Sequence, residues 1–99
     1  MIETRIIRYR TTPECADENA RLIEAVFAEL GERDMPDIRY EAYRLDDRVS
    51  FVHVFTLDSD NNPLQHSPAF AAFQSGLGAR LEGELEPAVA TLVGSHGVD

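Results

Sequence analysis

Two histidines, His53 and His66, are the side chains in this 99-residue sequence best suited to acid–base chemistry near neutral pH. His53 lies in an apolar segment between Phe51 and Phe55, where an imidazole can hold a phenol or take its proton. A buried structural histidine fits the same pattern. His66, just before a helix start, also fits a side chain that simply packs or faces solvent. Neither histidine has a partner at HxH or HxxxH spacing, so we expect no metal site.

The charge balance argues against two large classes of partner. Nine arginines, no lysine and eighteen acidic residues give a net charge of −9, which disfavours nucleic acid and membrane surfaces. Cys15 is the only cysteine, so we expect no internal disulfide. No apolar run approaches the roughly 18 residues that span a bilayer, and the N-terminal segment lacks the apolar core of a secretion signal. We therefore expect a cytoplasmic protein that binds neither nucleic acid nor membranes.

The elements that must position the histidines follow from the periodicity of apolar residues. Residues 3–11 favour a strand, because β-branched and aromatic side chains dominate and no breaker interrupts them. Thr12 and Pro13 are typical of a helix start. A helical apolar stripe then runs to Gly31 and consists of Leu22, Ile23, Val26, Phe27 and Leu30. Residues 34–37 predict a turn.

The second half of the chain predicts a hairpin of residues 38–45 and 49–57, a helix of residues 67–81 and a last strand of residues 88–93. Asp46 and Asp47 form the polar turn of the hairpin, and Ser67 with Pro68 repeats the helix-start signal. That helix carries an apolar stripe of Phe70, Phe73, Leu77 and Leu81. The order β-α-β-β-α-β predicts one α+β domain over residues 1–99 with a ferredoxin-like fold, its last five residues frayed. A four-stranded antiparallel sheet would carry two helices on one face.

The third strand indicates that both faces of this sheet are covered. Its residues alternate between Phe51, His53, Phe55 and Leu57 on one side and Ser50, Val52, Val54 and Thr56 on the other. Neither set is charged, whereas a strand with one solvent-exposed face alternates apolar and polar residues. Because helices cover only one face, a second copy of the chain is the economical cover for the other. We therefore predict a homodimer.

The hairpin register determines which side chains join His53. A two-residue turn at residues 46–47 pairs Tyr40 with His53 and Ile38 with Phe55 on one face. The result is an aromatic-rich patch with two polar groups, which fits a pocket for a small aromatic ligand. The same patch fits an ordinary core beneath the helices. A three-residue turn would undo the pairing.

The segment FVHVFTLDSD…LQHSPAFAAF, with the element order and length, resembles the antibiotic biosynthesis monooxygenase family of dimeric α+β barrels. The family pattern is an apolar strand ending near a Trp, an acidic loop, a His, and a small-residue helix start followed by Phe. This chain has Leu57 in the place of the Trp, residues 58–60 as the loop, His66 as the His, and Phe70 after the helix start. The resemblance implies a barrel of two sheets packed face to face, with a ligand cavity between each sheet and its helices.

The family contains heme-degrading enzymes, and the sequence departs from their pattern. It has no Trp, no Asn before Asn19, and Gln74 where those enzymes have a His four residues after the Phe. The family also contains cofactor-independent monooxygenases of quinol-like aromatics, which use an Asn four residues before the Trp. Counting back from Leu57 places His53 at that position. The resemblance therefore implies oxygenase chemistry at His53 and argues against heme degradation.

These observations predict a cofactor-independent monooxygenase acting on a small phenolic or quinol-like aromatic. His53 would hold or deprotonate the substrate and Tyr40 would orient it. The residues expected to contact the substrate are Phe51, Phe55, Ile38 and His66. Neither a cofactor nor a metal is expected. The alternative is a non-catalytic dimeric barrel that serves small-ligand binding or assembly, which the missing Trp and Asn favour.

Overall fold

The computed structural model describes residues 1–33 and 38–97. The strands are β1 (Ile2–Arg10), β2 (Arg39–Arg44), β3 (Ser50–Asp58) and β4 (Glu86–Ala90), and the helices are α1 (Ala16–Arg33), α2 (Pro68–Ser75) and α3 (Leu77–Arg80). Two short 3-10 turns, Pro13–Cys15 and Pro63–His66, come before α1 and α2. The turn predicted for residues 34–37 lies outside the described residues.

The four strands form one antiparallel sheet in the order β2-β3-β1-β4. The first and third strands are therefore the central pair, as the split βαβ arrangement requires. Side chains of the helices pack on one face of this sheet. The predicted α+β, ferredoxin-like fold is confirmed.

The two helix starts satisfy their backbone N–H groups differently. Ser67 caps α2 as predicted, because its Oγ accepts a hydrogen bond from the backbone N of Phe70 at 3.0 Å. Thr12 is extended but makes no side-chain cap. Pro13 begins a 3-10 turn instead of the helix itself, so α1 starts at Ala16.

Two boundaries in the C-terminal part differ from prediction. The second helix breaks at Gly76, and Leu81 instead forms an isolated bridge with Thr11. The last strand is Glu86–Ala90, not residues 88–93, because these five residues pair with β1. Apolar composition alone favoured the later segment, but pairing with the neighbouring strand fixes the boundary.

The turn of the β2–β3 hairpin is longer than predicted. Leu45 N donates to Ser50 O at 2.8 Å, which closes a loop of residues 46–49, and Arg48 has φ 69°. The carboxylate of Asp47 accepts hydrogen bonds from the backbone N of Val49 and of Ser50, at 3.0 and 2.8 Å. The predicted two-residue turn is therefore wrong, because the Asp47 side chain binds the N–H groups that follow it and widens the loop.

The longer turn shifts the hairpin register by two residues. Tyr40 lies opposite Phe55, and Ala42 lies opposite His53, whereas the two-residue turn placed Tyr40 opposite His53. Ile38, predicted opposite Phe55, lies just before β2. An even shift leaves every side chain on its predicted face, so Tyr40, His53 and Phe55 still share the face beneath the helices.

The sheet has one buried face and one half-buried face. The helix-side face carries the buried residues Tyr9, Phe51, His53, Phe55 and Leu57. The opposite face, which we call the open face, has an uncharged centre formed by the half-buried residues Thr4, Ile6, Val52, Val54 and Thr56. The site candidates predicted from the sequence therefore lie on the helix side.

Candidate functional site

His53 lies in the middle of β3, beneath the helices, and only 2% of its surface is exposed. Its ring packs among four aromatic rings, with centroid separations of 5.3 Å to Tyr9, 5.8 Å to Tyr40, 6.0 Å to Phe55 and 5.4 Å to Phe73. Strand alternation places the first three on the same sheet face, and α2 supplies the fourth. His53 is therefore part of the packed core.

Both ring nitrogens of His53 are bound by protein hydroxyl groups. Nε2 lies 2.8 Å from the Tyr9 hydroxyl, and Nδ1 lies 2.7 Å from the Tyr40 hydroxyl. Asn19 Nδ2 donates to the Tyr9 hydroxyl at 2.9 Å, and Arg80 Nε donates to Asn19 Oδ1 at 2.9 Å. These five side chains form one continuous chain of hydrogen bonds, which we call the buried relay.

The far end of the relay is a buried cation. Arg80 is held by its second donor, Nη2, to the carbonyl oxygen of Phe73 at 2.7 Å, and its guanidinium lies 5.3 Å from the Phe73 ring centroid. Partial negative charge on oxygen and on the ring face stabilises the guanidinium. The relay therefore joins α1, α2 and α3 to β1, β2 and β3.

The hydrogen-bond partners of Tyr9 and Tyr40 determine which tautomer His53 adopts. The Tyr9 oxygen already accepts from Asn19, and within the described residues the proton of its buried hydroxyl has only Nε2 as an acceptor. Tyr9 therefore donates to Nε2, and Nδ1–H donates to the half-buried Tyr40 hydroxyl. Exchanging the roles would leave the Tyr9 proton buried without an acceptor, which is costly.

Burial keeps the relay hydroxyls and the imidazole neutral. Desolvation lowers the pKa of His53 to about 4 and raises the pKa of Tyr9 to about 12, against the opposing effects of Asn19 and Arg80. Burial also raises the pKa of Tyr40. A base with a pKa near 4 removes the proton of a phenol of pKa about 10 at a cost of roughly 8 kcal/mol. In this geometry, His53 has neither a free nitrogen nor the basicity for that step.

A cleft of about 280 Å³ lies beside the relay, between the sheet and the loop that leads into α2. Its apolar lining consists of Ile7, Phe55, Leu57, Leu64 and Phe70, and its polar lining of Arg5, Ser59, Asn62, Gln65 and Gln74. An apolar floor with a few polar groups at the rim is typical of small-molecule sites. We call this the sheet–loop cleft.

The structure distributes the predicted substrate-contacting residues over several places. Phe55 lines the sheet–loop cleft, whereas Phe51 borders a separate depression of about 150 Å³ between α1 and β2. Ile38 packs against the buried cluster that includes Phe55. His66 is exposed, and its carbonyl oxygen accepts from Arg33 Nη1 at 3.0 Å. Neither His53 nor His66 is among the described residues that line the cleft.

The sequence identified none of the polar cleft residues as an expected substrate contact, although the basic cluster of Arg5, Arg8 and Arg10 fits an anionic ligand or, as the favoured alternative, pairing with acidic residues across the sheet. Arg5 is the informative example, because its register opposite Phe55 puts it on the helix side of the sheet. Gln74 lies four residues after Phe70, one helical turn away on the same side of α2, and both line the cleft. Gln74 was already marked in the sequence, at the position where the heme-degrading enzymes have a His, but Ser59 and Asn62 depend on a loop path without periodicity.

Two further observations describe the surroundings of the site. Within residues 1–33 and 38–97, no group of three or more His, Cys, Asp and Glu side chains converges to hold a metal ion. Among the helices in this same part of the chain, none has the length and apolar character needed to cross a membrane.

The chain is similar to known proteins in structure and not in sequence. No protein-family model matches the sequence, and no curated protein matches it. A protein from Bacteroides thetaiotaomicron, provisionally named an antibiotic biosynthesis monooxygenase, superposes with a TM-score of 0.78 at 18% identity, over 99% of this chain and 94% of that one. SnoaB, a cofactor-independent oxygenase from Streptomyces nogalater, gives 0.68 at 17% identity over 98% of both chains.

A third solved structure is described as a dimeric ferredoxin-like protein of unknown function from Jannaschia. It gives a TM-score of 0.67 at 12% identity, over 93% of this chain and 100% of that one. All three likenesses extend over nearly the whole chain, at identities too low to transfer an activity. The chain therefore has the fold of the antibiotic biosynthesis monooxygenases, the family that its sequence resembles.

Proposed function

We propose that the protein is a cofactor-independent oxygenase that binds a small phenolic or quinol-like aromatic in the sheet–loop cleft. The observation that carries this proposal is the cleft itself, with an apolar aromatic floor, an amide-rich rim and a position between sheet and helices. A cofactor-independent oxygenase, SnoaB, has the same fold. The shared fold favours oxygenase chemistry by analogy, and the cleft is the place where the substrate would bind.

The cleft volume suits a ligand of one or two rings. Its 280 Å³ lies just below the range of about 300–1,000 Å³ seen for ligand pockets. An apolar cavity of about 150 Å³ is known to take one benzene ring. Phe55 and Phe70, which meet edge to face with centroids 6.2 Å apart, both line the cleft and supply aromatic surface for a planar ligand.

The proposed chemistry needs no external reductant. The bound aromatic loses its phenolic proton, and the electron-rich anion passes an electron to O2. Recombination of the two radicals forms a C–O bond, and the resulting hydroperoxide eliminates water. For a dihydroxynaphthalene, the sum is one O2 consumed, one oxygen atom inserted to give a hydroxynaphthoquinone, and one water released. All four electrons come from the substrate, so neither flavin nor metal is required.

The catalytic roles of His53 and Tyr40 remain predictions. In the described geometry the His53 ring lies behind Ile7 and Phe55, which line the cleft, so a ligand reaches it only if one of these side chains moves. Contacts of a substrate with Phe51, Ile38 and His66 likewise remain predictions. The geometry favours separate roles for the two features. The cleft binds the aromatic, and the relay holds the side chains of the cleft floor in place.

Oxygen consumption tests the proposal directly. Protein freed of metal and flavin is mixed with a panel of hydroxylated naphthalenes, and O2 uptake is followed with an electrode against a protein-free control. Gln74→Trp fills the cleft from its rim, and Ala72→Trp places the same bulk on the exposed surface of α2, away from the cleft. We expect uptake in the wild type and in A72W but not in Q74W. Equal uptake in both variants, or none with any compound, would count against the proposal.

A second candidate is a non-catalytic binding module. Among the described residues that line the cleft there is no Asp, Glu or His, so a general base is missing from its wall. Ligand-dependent thermal stabilisation without O2 uptake would identify the protein as such a module.

We also propose that the protein forms a homodimer through the open face. The uncharged residues at its centre, among them Ile6, Val52 and Val54, are only half-buried in one chain. A trough of about 430 Å³ crosses this face beside Leu92 and Val93, which are 78% and 99% exposed. Apolar surface of this kind commonly marks a protein interface, and one structural neighbour is described as dimeric.

A further inference from the structure

We propose that the sheet–loop cleft selects aromatics that bind as anions, phenolates or carboxylates, and that Arg5 is the residue that determines this selectivity. The inference rests on the proposed use of the cleft as the ligand site. Among the described residues that line the cleft, Arg5 alone carries a charge. The other polar groups are hydroxyl or amide groups, which serve as neutral donors or acceptors.

The strand register holds Arg5 over the aromatic floor. Arg5 lies opposite Phe55 on β3 and opposite Val89 on β4, so its side chain leaves the sheet on the helix side. Its side chain is 56% exposed, so the guanidinium reaches a ligand from the cleft rim without movement of the core. An arginine placed beside an apolar floor suits a flat ligand with one anionic group, because the guanidinium binds oxyanions in a fork.

One acidic residue contacts this guanidinium and fixes its position. Glu3, two residues earlier on the same strand face, accepts from Arg5 Nε at 2.5 Å. Within the described residues, the two terminal nitrogens of Arg5 donate to no protein acceptor. Glu3 therefore restrains the side chain while the outer edge of the guanidinium stays available to a ligand. Glu3 also cancels part of the positive charge, so its removal should strengthen anion binding.

The two other carboxylates near the cleft, those of Asp58 and Asp60, are paired with a different cation. Asp58 and Asp60, on either side of the cleft residue Ser59, each contact the N-terminal amine of Met1 at 2.7 Å. Their negative charge is thus partly compensated at that end of the cleft. In a protein of net charge −9, long-range attraction of an anion is unfavourable, so direct contact with the Arg5 guanidinium has to hold an anionic ligand.

Arg5 accounts for the loss of the phenolic proton, a step that the buried relay does not perform. A guanidinium beside the phenolic oxygen lowers the pKa of the bound phenol, because it stabilises the phenolate. The anion that reacts with O2 then forms by loss of the proton to water, with no base in the cleft wall. Arg5 would act on the substrate oxygen directly, and His53 would stay neutral throughout.

The test compares 2-naphthoate with 2-naphthamide, which has similar size but no charge, by isothermal titration calorimetry. We expect the wild type to prefer naphthoate about tenfold, the usual effect of a charge-assisted hydrogen bond. Arg5→Gln should remove this preference and leave naphthamide binding unchanged. Glu3→Gln should tighten naphthoate binding several-fold. Arg8→Gln, on the same strand but the opposite face of the sheet, is the matched control and should change neither affinity.

The outcomes separate this inference from the proposed oxygenase activity. Equal affinity for the two probes, or equal loss of both in R5Q, overturns the selectivity of Arg5 even if O2 uptake is observed. Binding of neither probe overturns the anion site, whereas the oxygenase is decided by O2 uptake with the hydroxylated naphthalenes. Naphthoate binding that depends on Arg5 but is accompanied by no O2 uptake with any hydroxylated aromatic supports the anion site and overturns the oxygenase.

Discussion

Replacing His53 by alanine should destabilise the fold by about 3–5 kcal/mol, the usual cost of truncating a large buried ring. Its imidazole is 2% exposed and packs among four aromatic rings, so the substitution leaves a cavity in the core. It also removes a hydrogen-bond partner from Tyr9 and from Tyr40, although Tyr9 retains Asn19. Since a domain of this size is stable by about 5–15 kcal/mol, the variant should be marginal.

His53→Phe separates the packing contribution from the hydrogen bonds. Phenylalanine keeps most of the ring volume and the aromatic contacts but accepts nothing from Tyr9 and donates nothing to Tyr40. The buried Tyr9 proton then has no acceptor, which should cost about 1–3 kcal/mol. H53F should therefore lie between the wild type and H53A in stability.

The pH dependence of stability gives this prediction a second measurement. Burial lowers the pKa of His53 from 6.5 to about 4, so between these values the unfolded chain binds a proton that the folded chain does not. The stability linked to His53 is complete above about pH 6.5 and is lost as pH falls towards 4, by about 3 kcal/mol in total. H53F lacks this loss, so its deficit relative to the wild type should shrink as the pH falls.

Urea unfolding followed by circular dichroism, at several pH values between 4 and 8, measures these free energies. His66→Ala is the control, because that side chain is exposed and its removal should change stability by less than about 0.5 kcal/mol. A cost below about 1 kcal/mol for H53A, with an unchanged urea slope, would refute the packed position of His53. A pH-independent deficit of H53F would refute the neutral, buried imidazole.

The same variants decide whether His53 acts as a base. If it takes the substrate proton, as the sequence pattern predicts, H53F should abolish O2 uptake while naphthoate binding persists. If the relay only holds the cleft floor, folded H53F should keep its turnover. The geometry leads us to expect the second result, because both ring nitrogens are already bound by hydroxyl groups.

Two further predictions concern the break after α2 and the open face. A Cβ at Gly76 would lie 2.7 Å from Arg80 Nη1, and this guanidinium cannot move freely because Asn19 and the carbonyl oxygen of Phe73 hold it. Gly76→Ala should therefore cost about 1–3 kcal/mol in urea unfolding. Gly78→Ala, with nothing within 4 Å, should be neutral or slightly stabilising. Wild-type protein should show twice the 11.1 kDa chain mass in light scattering. Val54→Asp should abolish the dimer. Val89→Asp changes an exposed residue on the other face of the sheet and should leave the dimer intact. A monomeric wild type would exclude the dimer.

The fold was predictable because its signals are local. A run of aromatic and β-branched residues without a breaker predicted β3, and Ser67-Pro68 marked the start of α2, where Ser67 does cap the helix. The hairpin turn was not predictable from its composition, since its length depends on the Asp47 carboxylate binding two backbone N–H groups. The faces were nevertheless assigned correctly, because the error in register was two residues and a strand repeats every two.

Apart from the link between Tyr40 and His53, which the hairpin placed on one face, the buried relay could not be predicted, because its partners are far apart in sequence. Tyr9 and His53 are 44 residues apart, and Asn19 and Arg80 are 61 apart. The pairing of Arg80 with Asn19, which lies on another helix, leaves no periodic pattern in the sequence. Only the antiparallel pairing of β1 with β3 and the packing of the helices bring these groups together.

The sheet–loop cleft and the relay are neighbours on one sheet face, and the boundary between them is one side chain thick. Along β1, Arg5 lines the cleft, Ile7 lies at the boundary, and Tyr9 belongs to the relay. Alternation forces all three onto the same face, so their different roles come from what covers them. The loop before α2 leaves Arg5 hydrated and charged, while the helices seal Tyr9 and hold it neutral. Chemistry that needs a charge therefore belongs to the Arg5 end of the strand, and a ligand that used His53 would first have to displace Ile7 or Phe55.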